Sequence, residues 1–128
     1  MIINKNHKKG ILIFMPTIEN GGIEKNLIIL SDYLIKNGHD VKILTKSIRP
    51  NIKRDINKRV KLIISKEYLK FNFINKRIRD SLNVCFHIFK NKNYFKNYTF
   101  LSFQSHYIAV IISKIIKTKI ILRIANHP

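Results

Sequence analysis

The chain has one cysteine, Cys85, in 128 residues. No disulfide can form within it, and a cysteine-based zinc site is not plausible. That usage fits a reducing cytoplasm. Acidic residues are scarce too: seven against 25 Lys and Arg, a formal net charge of +18 with pI near 10.3. Long apolar runs are missing. Stretches such as Ile108 to Ile112 fall far below the ~18 residues of a membrane-spanning helix, and Lys114, Lys117 and Lys119 interrupt the residues after it. Met1 to Lys9 followed by Ile11 to Met15 has the basic-then-apolar order of a signal peptide. Its apolar part is too short, and no small-residue cleavage site comes after it. Two phosphate-binding signatures are absent: there is no Gly-Lys-Ser/Thr, and Gly21 leads into Gly22, Ile23 and Glu24 rather than G-x-G-x-x-G. His7, His87 and His127 show no metal-ligand spacing with a carboxylate. No Ser/His/Asp or Cys/His set can be read, which leaves a hydrolase without support.

What is present is a folded domain. Hydrophobic residues make up 45% of the chain, too many for a disordered one. The length suits a single compact unit. The basic excess points to anionic partners: nucleic acid, an acidic membrane surface or phosphorylated substrates. It has a second source. Ile, Lys and Asn supply 26, 19 and 14 residues, and all three have A/T-rich codons, so base composition also raises the lysine count.

Ile11 to Met15 is a continuous apolar run ended by Pro16, as in a strand buried on both faces. A polar loop, Thr17 to Gly22, leads into a helix with Ile23, Leu27, Leu30 and Leu34 on one face and Gly38 as its C-terminal cap. Val41, Ile43 and Thr45 mark a second strand, Pro50 to Arg59 a basic connection, and Val60 to Ile64 a third strand. Ile74, Ile78, Leu82, Cys85, Phe86 and Phe89 repeat at helical spacing, with Cys85 as a small core residue. Asn91 to Asn97 reads as a loop, Phe100 to Phe103 as a strand, Tyr107 to Ile116 as a helix and Ile120 to Ile124 as a central final strand. Strands alternating with helices predict an α/β, Rossmann-like, doubly wound and mostly parallel sheet with right-handed crossovers. Residues 1–128 form one domain on this reading. The sequence stops at His127-Pro128, just past that last strand, so the domain is expected to be incomplete.

The loop after the first strand carries the strongest local signal. In open parallel sheets, ligands bind at the carboxyl ends of strands near the switch in strand order. Gly21 and Gly22 let the backbone approach a ligand, and the helix start beside them suits a phosphate. A tight turn explains the two glycines equally well. Glu24, in the first turn, reads as a helix-start residue rather than a catalytic one.

Four stretches in order, Ile11–Met15, Gly21-Gly22-Ile23-Glu24, Leu30-Ser31-Asp32-Tyr33-Leu34 and Asn37-Gly38-His39-Asp40-Val41, resemble the opening of family 4 glycosyltransferases. A second region agrees: Phe100 to His106, then Ile120 to Pro128 with Arg123 and Asn126. The likeness is weak between about Ile48 and Asn97. It implies a GT-B architecture, two Rossmann-like domains facing across a cleft, of which this chain is similar to the N-terminal, acceptor-side domain. The C-terminal domain, which carries most nucleotide-sugar contacts, has no counterpart here. The implied reaction transfers a hexose from a nucleotide-sugar to a lipid-linked or polysaccharide acceptor, with retention at the anomeric carbon. No metal or cofactor is required; the nucleotide-sugar is a co-substrate.

By the same resemblance, Gly21 and Gly22 lie near the donor diphosphate and acceptor, and His106 is the catalytic candidate. Gln104, Ser105, Arg123 and Asn126 are candidate substrate ligands. His39 belongs to a structural turn, and Asp32 to a solvated helix face. The implied partners are the donor, a glycan or lipid-linked acceptor, a C-terminal half, and anionic lipid at the inner face of the plasma membrane. The helix with Lys76, Arg77, Arg79 and Lys90 is the docking candidate for that lipid. Two other readings stay open: a non-catalytic basic module that binds nucleic acid or anionic membrane, and a gene remnant whose last strand exposes an unpaired edge. Against nucleic acid, no recognised binding motif occurs.

Overall fold

The computed structural model describes residues 10–19, 21–70 and 72–123. Its five-stranded sheet comprises β1 (Ile11–Phe14), β3 (Val41–Thr45), β5 (Lys61–Ile64), β6 (Thr99–Ser102) and β7 (Ile120–Leu122). Two further short strands, β2 (Thr17–Ile18) and β4 (Ser47–Ile48), pair with each other. The helices are α1 (Gly22–Lys36), α2 (Pro50–Asp55), α3 (Lys76–Lys90), α4 (Lys92–Phe95) and α5 (His106–Ile116). The sheet order is β5-β3-β1-β6-β7, and every pairing is parallel. The chain is therefore an α/β protein with a Rossmann-like doubly wound sheet.

The apolar run of β1 is buried on both sides, which explains why it does not alternate with polar residues. Ile13, Ile43 and Leu101 face one core with Leu27 and Ile35 of α1 and Ile52 of α2. Leu12, Phe14, Leu44 and Phe100 face the other, with Val84 and Ile88 of α3, Phe95 of α4 and Ile112 of α5. Burying each such side chain contributes roughly 1.5–3 kcal/mol. Helix α1 ends as predicted. Gly38 has a positive φ of 87°, His39 N–H donates to the Leu34 carbonyl, and Gly38 N–H donates to that of Ile35. This is a Schellman cap.

Several expectations need correction. The buried face of α1 is Glu24, Leu27, Ser31 and Ile35, rotated from the predicted stripe, so Ile23 is exposed and Leu30 and Leu34 are only half-buried. The basic connection contains α2: Pro50 starts it, and Ile52 and Ile56 enter the core. The stretch Asn91 to Asn97 holds one helical turn, anchored by the buried Phe95. Helix α3 turns Asp80, Ser81, Asn83, Val84 and Ile88 inward. Its predicted apolar stripe lies on another face: Ile78, Phe86 and Phe89 are exposed and Cys85 is half-buried. Polar loop groups need partners inside, and α3 supplies them. Among the described residues β7 is an edge strand rather than a central one, with Ile121 and Leu122 exposed.

Candidate functional site

In a parallel sheet all strands end at the same edge. Neighbours β1 and β6 then send their chains to opposite faces, β1 toward α1 and β6 toward α5. This is the switch point, the place at the carboxyl edge where open α/β sheets bind ligands. The loops after β1 and β6 border it, and Arg123 comes after β7 beside them.

The two loops are tied together. Thr17 N–H donates to Gln104 Oε1 at 3.0 Å, and Gln104 Nε2 donates to the Thr17 carbonyl at 2.8 Å. Both residues are buried. Gln104 is thereby structural, because its amide replaces the strand partner that Thr17 lacks on that side. Thr17 Oγ1 in turn donates to Asp80 Oδ2 at 2.8 Å. The same carboxylate oxygen accepts from Ser47 Oγ at 3.0 Å and from Lys76 Nζ at 3.1 Å. Asp80 thus joins β2, β4 and α3 through one buried carboxylate. Sequence reasoning did not single it out. Its one signal is position, a lone acid in a basic helix.

Around the end of β6 the predicted residues converge. His106 Nδ1 lies 2.8 Å from Ser102 Oγ, and Ser102 Oγ donates to the Gln104 carbonyl at 3.1 Å. Ser105 starts α5 in the left-handed region, at φ 53° and ψ 50°. A non-glycine residue there is strained unless its surroundings hold it. Ser81 Oγ of α3 stands 2.6 Å from Ser105 Oγ and donates to the Arg77 carbonyl at 2.8 Å. Ser81 has one proton, so Ser105 is the donor between the two hydroxyls. Arg123 N–H donates to the Ser102 carbonyl at 3.0 Å, and its guanidinium lies 5.2 Å from the centre of the Phe103 ring.

The glycine loop stands on the same edge. Gly21 is extended, so its φ of 164° would suit any residue. A Cβ on Gly21 would come 3.1 Å from Glu24 Oε1, whereas a Cβ on Gly22 would meet nothing within 4 Å. Nothing in the described fold requires glycine at position 22. Glu24 Oε2 accepts from Glu19 N–H at 2.9 Å, so its buried carboxylate ties the end of β2 to the first turn of α1. Asn126 and His127 lie outside the described residues. Asp32, read as solvated, accepts from Asn57 Nδ2 at 2.7 Å and pairs with Lys36. These contacts, Asn57 first, lower its pKa from 3.8.

A different concavity, about 270 Å³, opens at the opposite edge between β5, the end of α3 and α4. Lys61, His87, Asn91 and Tyr94 help line it, and none is a predicted site residue. His87 Nδ1 is buried there without a hydrogen-bond partner among the described residues. Burial, with Lys66 nearby, pushes the His87 pKa below 6.5. Among the described residues no three His, Cys, Asp or Glu side chains stand close enough to hold a metal ion.

No family model and no curated protein matches the chain. Two solved structures are similar to it. One is WaaG, a glycosyltransferase involved in lipopolysaccharide biosynthesis, with a TM-score of 0.55 and 14% identity over 72% of this chain and 23% of that one. The other is the C-terminal domain of PF1911 hydrogenase from Pyrococcus furiosus, with a TM-score of 0.53 and 10% identity over 90% of this chain and 91% of that one. At such identities the likeness shows the fold. This chain spans less than a quarter of the WaaG length.

Proposed function

We propose that the chain is the N-terminal, acceptor-side domain of a glycosyltransferase of the GT-B type. The full enzyme transfers a hexose from a nucleotide-sugar to a lipid-linked or polysaccharide acceptor, and a second domain supplies most donor contacts. One observation carries this reading. Thr17, at the head of the loop to Gly21-Gly22-Ile23-Glu24, is bonded to Gln104 of Phe100–His106, 87 positions later, so the two regions that resemble family 4 glycosyltransferases share the switch point at the carboxyl edge of the sheet. The WaaG likeness supports it, and the comparable likeness to a hydrogenase domain is why the fold alone does not. In this reading Gly21 and Gly22 admit a phosphate or glycan to the backbone. His106 is the catalytic side chain, Ser105 and Arg123 border the substrate, Gln104 holds their loop to Thr17, and Asn126 is a further candidate ligand.

The basic surface fits a peripheral contact with anionic lipid. After Glu67 the sole acidic residue is Asp80, and it is buried. The layer of α3, α4 and α5 therefore exposes Lys76, Arg77, Lys90, Lys92 and Lys114 with no exposed acid between them. Exposed Phe86, Phe89, Ile111 and Ile115 stand on the same helices, and Leu82, Cys85 and Ile112 help line an apolar groove of about 200 Å³ there. Apolar side chains ringed by lysine suit the headgroup region of a cytoplasmic leaflet. No described helix is long and apolar enough to cross a membrane.

The test is the product of the coding DNA read past Pro128. Continuation into a second α/β domain, with hexose transfer from uridine- or guanosine-diphosphate hexoses to extracted lipid-linked glycans, supports the reading. His106→Ala is expected to remove that transfer. Transfer that survives His106→Ala overturns the site. Salt-dependent binding to duplex DNA that survives competition by phosphatidylglycerol vesicles, with no transfer, overturns the function.

A further inference from the structure

We infer that Ser102 is a positioning residue that fixes the tautomer of His106: the neutral imidazole carries its proton on Nδ1 and leaves Nε2 free as a proton and hydrogen-bond acceptor. Proton counting leads there. Ser102 Oγ has one hydrogen and two partners, the Gln104 carbonyl at 3.1 Å and His106 Nδ1 at 2.8 Å. A carbonyl oxygen can only accept, so both contacts are hydrogen bonds together only when the hydroxyl proton goes to Gln104. The remaining short contact is then a hydrogen bond only if Nδ1 donates to Oγ. Ser102 is fully buried at the end of β6, so water does not compete for its hydroxyl. The Gln104 carbonyl is held in turn, because the Gln104 side chain is pinned at both ends to Thr17. Ser105, held in its left-handed conformation by Ser81, sets where α5 begins and so where the imidazole hangs. The tautomer of a histidine is decided by the bond its other nitrogen makes. Here that bond comes from a strand-end serine, not from a carboxylate.

The inference rests on reading His106 as a site residue, and its test is independent of turnover. The chain labelled with 15N is measured by two-bond 1H–15N correlation above the pH at which its histidines titrate, with the His106 ring assigned by loss of its signals in His106→Gln. The expected pattern is a protonated, pyrrole-type Nδ1 and a pyridine-type Nε2. An Nε2-protonated ring in the unaltered chain overturns the inference, and this spectrum needs no variant to fold. Ser102→Ala is expected to move the ring toward the Nε2-protonated form, and Ser102→Thr, which keeps a hydroxyl, to preserve the original pattern. An unchanged ring in Ser102→Ala overturns the role of Ser102. If the spectra agree but His106→Ala leaves transfer intact, the functional reading fails and the tautomer assignment stands.

Discussion

Gln104 grips the main chain of Thr17, 87 positions earlier, with both ends of its amide, at 3.0 and 2.8 Å. This pair bridges the segments after β1 and β6 at the switch point of the sheet. Gln104→Ala leaves a buried N–H and a buried carbonyl without partners. The expected loss is about 2–4 kcal/mol, since each such orphan costs roughly 1–3. Gln104→Glu should also destabilise, because a carboxylate cannot donate to the Thr17 carbonyl. Urea unfolding at constant slope measures both. An unchanged midpoint for Gln104→Ala would show that the clamp contributes nothing.

The Asp80 cluster separates burial from charge. Removing the carboxylate strands the buried Thr17 hydroxyl as well as that of Ser47, so Asp80→Ala is expected to cost about 2–3 kcal/mol. Lys76 approaches the same oxygen from solvent, with its side chain 52% exposed. Its removal in Lys76→Ala should cost at most about 1 kcal/mol. Equal losses in thermal or urea unfolding would contradict this account.

Two glycines should behave in opposite ways. A Cβ on Gly10 would come 2.5 Å from Tyr98 Cε2 and 3.1 Å from the Asp40 carbonyl. Gly10→Ala is expected to destabilise by about 1–3 kcal/mol through overpacking. Gly22→Ala meets open space and starts a helix, so stability should hold or rise by up to about 1 kcal/mol. Hexose transfer that falls in Gly22→Ala while its melting temperature holds would tie that glycine to ligand approach.

His87 predicts an acid-side loss of stability. Its folded pKa lies below 6.5 because burial, with Lys66 beside it, disfavours the cation. Between the folded value and 6.5 the unfolded chain binds more protons, so stability falls as pH drops through that window. His87→Gln should flatten the fall. The lowered pKa of Asp32 acts only below 3.8, in a separate range. Melting temperatures taken across the two ranges distinguish them. A slope that persists through the upper window in His87→Gln would assign it elsewhere.

Much of the fold was legible because its signals are local. The apolar run of β1, the Gly38 cap and the alternation of strands with helices depend on residues close in sequence. Together they dictate a parallel doubly wound sheet. The short elements were not legible. β2 and β4 have two residues each, α4 has four, and such lengths carry no period. The face of α3 was misjudged for a different reason. Its apolar residues repeat at helical spacing, but the buried face must satisfy polar loop groups, and no window of sequence shows which loops those are.

The same division holds at the candidate site. Chain punctuation and residue type were enough to specify the fold class, the strand-end positions of Gly21, Gly22, His106 and Arg123, and the place of Glu24 in the first turn of α1. Only packing in three dimensions made Gln104 clamp Thr17, gathered three donors on Asp80, and set Ser102 and Ser81 against His106 and Ser105. Apart from Ser102 and His106, four positions apart, those contacts join residues that chain connectivity leaves distant, and their geometry exists only once both faces of the sheet are covered.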